Sequence, residues 1–122
     1  MLYSVDTKIY ITDLPYKKDY DTLRKRLTTA EYNSIEDHLN ALIDTGDIHT
    51  SSWMPGSDWS NTPLQLLYDK ACRKDPVWAG KFFGQILFKV MRDRSEVWGF
   101  GRYEKNGVPI RGITYFQLNL IP

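Results

Sequence analysis

The chain has 122 residues, 42% of them hydrophobic and 14% aromatic, a composition that excludes a disordered chain. Its length suits one domain, 1–122, with a core of its own. A formal charge of +1, from 16 Lys+Arg against 15 Asp+Glu, excludes a global field that would draw nucleic acid or an anionic membrane.

The N-terminal stretch MLYSVDTKIY lacks the basic, apolar, small-residue order of a signal peptide, and the single cysteine, Cys72, has no partner for an internal disulfide. Both features predict a cytoplasmic protein. No apolar run approaches the roughly 18 residues that a membrane helix needs. Within Thr7–Thr12, TKIYIT, Ile9 and Ile11 alternate as in a strand. A short helix is predicted over Asp19–Leu27, with Tyr20, Leu23 and Leu27 on one face.

Thr28-Thr29-Ala30-Glu31 has the spacing of a capping box, and Ile35, Leu39, Leu42 and Ile43 behind it repeat at helical period. This predicts a helix over 29–45, with Gly46 placed for a left-handed cap. Residues 46–61, GDIHTSSWMPGSDWSN, read as one long loop, the class of segment that is usually functional or disordered. Thr62-Pro63 and Asp75-Pro76 each read as a cap followed by a first helical residue.

The second of those helices, about 76–94, confines Lys81, Gln85, Lys89 and Arg92 to a narrow stripe. The rest of its circumference, including Trp78, Phe82, Phe83, Ile86, Leu87, Val90 and Met91, is apolar, so it is the expected central buried helix. Gly80 and Gly84 in it suggest close approach of another backbone.

Asn106-Gly107 between alternating runs predicts a two-residue hairpin turn. Counting outward from it pairs Arg102 with Arg111, Gly101 with Gly112, Phe100 with Ile113, Gly99 with Thr114 and Trp98 with Tyr115. One face then carries Trp98, Phe100 and the arginine pair; the other carries a glycine dent flanked by Tyr103, where the central helix is expected to dock. Two arginines directly opposite repel each other, and call for an anion: Glu104 or another acid structurally, a bound carboxylate or phosphate functionally.

Other chemistry is sparse. Gly99-x-Gly101 lacks the third glycine of a dinucleotide fingerprint. His38, His49 and Cys72 are too few and too scattered for a metal site, so neither metal nor cofactor is expected. His38 reads as a surface residue and Cys72 as a small buried hydrophobe, and neither supports an enzyme. Trp53 and Trp59 could wall a binding site or staple the loop to the core.

The stretches GSDWSNTPLQLLYDKAC and WGFGRYEKNGVPIRGITYF resemble small orphan proteins of bacterial accessory genomes, such as those carried on mobile gene cassettes. That resemblance implies no activity and assigns no site.

The expected fold is α+β: a small antiparallel sheet, made of the N-terminal strand and the C-terminal hairpin, packed on three or four helices around the buried one. The leading functional expectation is a non-enzymatic binding or protein-interaction module, self-associating or part of a complex, using Trp53, Trp59, Trp98, Phe100, Arg102, Tyr103 and Arg111. The alternative is a binder or enzyme for a small anionic or aromatic molecule at the same residues. A winged-helix-like DNA binder is third, and the near-zero charge argues against it.

Overall fold

The computed structural model describes residues 1–51, 58–109 and 112–119. The chain is α+β. Strands β1 (Leu2–Ser4) and β2 (Ile9–Ile11) lead into helices α1 (Lys17–Arg24) and α2 (Thr29–Ile43), and β3 (Ile48–Thr50) follows. The short helix α3 (Leu64–Leu66) continues as a π-helical segment, Leu67–Ala71. After it come α4 (Pro76–Asp93) and strands β4 (Trp98–Gly101), β5 (Glu104–Lys105), β6 (Val108–Pro109) and β7 (Thr114–Gln117).

Helices α2 and α4 begin where the sequence caps them, whereas α1 starts at Lys17 behind an uncapped Tyr16 and Pro63 precedes α3 instead of opening it. Thr28 accepts from the Glu31 amide and Glu31 Oε1 from the Thr28 amide, closing the capping box of α2. Asp75 Oδ1 accepts from Val77 and Trp78, with Pro76 as the first helical residue of α4. Gly46 is not a left-handed cap; α2 ends at Asp44 in right-handed geometry.

Strand order is β2-β1-β4-β7-β3, antiparallel throughout except that β1 runs parallel to β4. The TKIYIT strand is therefore an edge, and Leu2–Ser4 is what joins the N-terminus to the C-terminal strands. β3 lies inside the stretch expected to be loop, where its pairing with β7 overrides a polar local sequence.

One sheet face meets the helices. Leu2, Trp98 and Tyr115 point into the core, where Phe82, Ile86, Leu87 and Met91 of α4 join Ile35 and Leu39 of α2. Full burial of a side chain of this size contributes about 1.5–3 kcal/mol, so α4 is the main organiser of the fold. Its expected apolar surround holds except at the first turn, where Trp78 is 37% exposed.

The hairpin tip agrees with the sequence. Lys105 pairs with Val108 across Asn106 and Gly107, both at positive φ as a type I′ turn requires. At its base the register differs: Gly99 opposes Phe116 and Phe100 opposes Tyr115. Arg102 and Tyr103 separate the two ladders on the outgoing side, whereas residues 110–113 separate them on the return. That slip of two keeps each side chain on its face but breaks the uniform count. Arg102 belongs to neither ladder, and Arg111, its expected opposite, lies outside the described residues.

Candidate functional site

The two faces of the hairpin base have exchanged their expected roles. Trp98, 1% exposed, and Phe100 lie on the helix side, the Phe100 ring meeting Phe88 of α4 edge-on at 5.5 Å. The glycine face is the outer one. There a Cβ on Gly99 would stand 2.5 Å from the Phe116 ring, and one on Gly101 3.0 Å from Tyr103. Close approach is the reason for both glycines, as the sequence suggested, but the approaching groups are the rings of Phe116 in β7 and of Tyr103 just beyond β4 instead of a helix.

Across the outer face, register places Tyr10, Tyr3, Gly99, Phe116 and Ile48 in one row spanning all five strands. Tyr3 and Tyr10 meet edge-on at 5.2 Å, and Tyr103 meets Phe116 in the same way at 6.0 Å. None of these side chains belongs to the core cluster, and none is charged. Tyr10 is 42% exposed and Ile48 66%. Solvent faces of antiparallel sheets are ordinarily polar, so this row is a departure.

A second feature is a cleft of about 270 Å³ where the N-terminal half of α4 meets the rim of the sheet. Tyr16 and Trp78 stand at its sides, Phe88, Ile113 and Tyr115 give it an apolar lining, and Lys81 and Arg102 supply cations. Lys81 Nζ sits 4.8 Å from the centre of the Trp78 ring. Gln85 Nε2 donates to the carbonyls of Pro15 and Tyr16, fixing the left-handed Tyr16 ahead of α1. Its Oε1 is buried with no partner among the described residues. Burial pushes the Tyr115 phenol pKa up, with the Arg102 charge opposing, so its hydroxyl stays a donor.

A second recess, about 420 Å³, also bordered by Trp78, lies between α1 and the turn after the π-helical segment. Cys72 lines it, and burial pushes the thiol up to about 11 against the nearby Arg26 charge. That thiol is not an activated nucleophile.

Of the remaining expected residues, Trp59 is half-buried with its ring 6.1 Å from Phe83 of α4, which makes it a staple of its loop. Trp53 lies outside the described residues. Arg102 lines the cleft beside Trp78, and Tyr103 stands on the outer face. His38 is half-buried on α2. His49 packs on Trp98, its Nε2 placed to donate to the Ile43 and Gly46 carbonyls. No cluster of three metal-ligating side chains occurs among the described residues, and no described helix is long and apolar enough to cross a membrane.

Comparison with protein-family models, with curated proteins and with solved structures gives no match for this chain. Any functional reading therefore rests on its own geometry. Sequence reasoning missed Trp78, Lys81, Tyr3, Tyr10, Phe116 and Ile48; only the alternation of Tyr10 with Ile9 and Ile11 carried a signal, as one of a strand's two faces.

Proposed function

We propose that the chain is a non-enzymatic interaction module that pairs with a second copy of itself through the outer face of its sheet. The observation that carries this is the row Tyr10, Tyr3, Gly99, Phe116 and Ile48, continuous across five strands and free of charge. A two-fold contact sets a patch against itself, so any charge near its centre would confront its own sign; an uncharged row carries no such cost. Aromatic side chains add large contact area at low entropic cost, and they are enriched at interface cores.

Five strands about 4.8 Å apart and three or four residues long make a narrow patch, so the pairing belongs at the small, reversible end of interface sizes. Sedimentation velocity over a dilution series tests it. The expected result is reversible dimerisation at about 10–200 μM, abolished in the double variant Tyr10→Lys, Ile48→Lys with the fold retained by circular dichroism. A wild-type chain that stays monomeric at about 200 μM, or a double variant that dimerises as well as the wild type, overturns the reading.

A further inference from the structure

The cleft beside Trp78 is a separate matter, because its lining shares no residue with the outer sheet row. Three observations bear on it. The first is the placement of glycine. Gly80 and Gly84 lie one helical turn apart on α4 and both line the cleft, yet a Cβ at either would meet nothing within 4 Å. Among the described residues no backbone approaches them, so the close packing that ordinarily explains helical glycines is missing there. What their missing side chains leave is open space in the cleft.

The second observation is charge. Among the described residues neither Lys81 nor Arg102 takes part in an ion pair. The residues outside the described set contribute no side-chain carboxylate that could serve. Asp19 at the rim leaves the lining with one positive charge in excess. A guanidinium offers a planar fork suited to a carboxylate.

The third is the polarity of the walls. Phe88, Ile113 and Tyr115 form a mainly apolar lining, with the Trp78 ring, held by Lys81, along one side. Gln85 lines the cleft too, and its buried Oε1 has no partner among the described residues. Mostly apolar walls with a few convergent polar groups are the ordinary constitution of a small-molecule site.

We infer that this cleft binds a small aromatic carboxylate, its acid group between Arg102 and Lys81 and its ring over the space left by Gly80 and Gly84. Arg102 and Lys81 set the polarity of the ligand. The two glycines set its thickness. Trp78 closes over the ring face, while Asp19 disfavours a second negative charge.

Isothermal titration of the full chain with 2-naphthoate and its neutral isostere 2-naphthamide tests this. Naphthoate is expected to bind with a Kd at or below about 1 mM, and the amide at least about tenfold more weakly. Arg102→Gln should weaken the acid about tenfold and leave the amide unchanged. Gly84→Leu should abolish binding of the acid. Because Leu at that position also alters the helix, Gly84→Ala serves as a second variant: a higher Tm together with weaker binding shows that the glycine serves the cleft instead of the fold. No saturable binding of naphthoate up to about 10 mM, equal binding of acid and amide, or affinity indifferent to both Arg102→Gln and Gly84→Leu overturns the inference.

Discussion

At the scale of single residues, the polar groups that sequence reasoning flagged mostly serve the fold. Cys72 stands near basic residues in sequence, a setting that could activate a thiol, but in space it is buried at the end of the π-helical segment. Burial raises its pKa to about 11, so at pH 8 only about one thiol in a thousand is ionised, against roughly a quarter of unperturbed thiols. The native chain should therefore react with a disulfide reagent at pH 8 at least about 100-fold more slowly than the chain unfolded in guanidinium. Comparable rates in the two states would show that the thiol is not protected. Trp98 teaches the same lesson from the apolar side. Its face of the hairpin was legible by parity, but whether helix or solvent lay on that face depended on β1, whose three residues gave no periodic signal.

Among the elements, legibility tracked the amount of local information. The capping box fixed the start of α2, and Asp75-Pro76 fixed that of α4, because caps are local chemistry. β3 and the register at the hairpin base were hidden, since both depend on pairings with strands remote in sequence. The π-helical turn was equally invisible: Leu67–Ala71 reads as ordinary helix until Cys72 donates to the Leu67 carbonyl.

That segment ends in an awkward reversal. Arg73 and Lys74 both take positive φ, 51° and 63°, while the Lys74 amide reaches back to the Tyr68 carbonyl and Asp75 caps α4. Two consecutive non-glycine residues in the left-handed region carry strain, and both side chains are exposed. Lys74→Gly should thus stabilise the chain by about 0.5–1 kcal/mol, read as a higher urea midpoint at unchanged slope. A lower midpoint would show that the Lys74 side chain contributes more than its backbone costs.

For the whole molecule, the joint between layers is ionic as well as apolar. Arg94, just beyond α4, donates from Nη1 to Asn40 Oδ1, from Nη2 to Asp44 at the end of α2, and from Nε to Glu96 Oε1 at 2.5 Å. Glu96 in turn accepts from Trp98 Nε1 at 3.2 Å, so one network ties α2, α4 and the central strand together. Burial pushes the Glu96 carboxyl up, but the Arg94 guanidinium, backbone amide and Trp98 bonds outweigh it and hold the group at about 2. A depressed carboxylate stabilises the folded state above its unfolded value, near 4.5, and that contribution is lost as pH falls through the folded value. Glu96 keeps 27% exposure and solvent screens it, so its contribution is about 1 kcal/mol rather than the full value of the shift. Stability measured by urea unfolding should therefore fall between pH 4.5 and 2, and Glu96→Gln should remove about 1 kcal/mol at pH 7 while flattening that fall. Asp93, depressed by Lys89 and Arg92 against its own burial, adds to the acid loss, so the variant's profile flattens without becoming level. A variant whose stability falls with acid as steeply as that of the wild type would place the acid sensitivity elsewhere, and would leave Arg94 held by α2 alone.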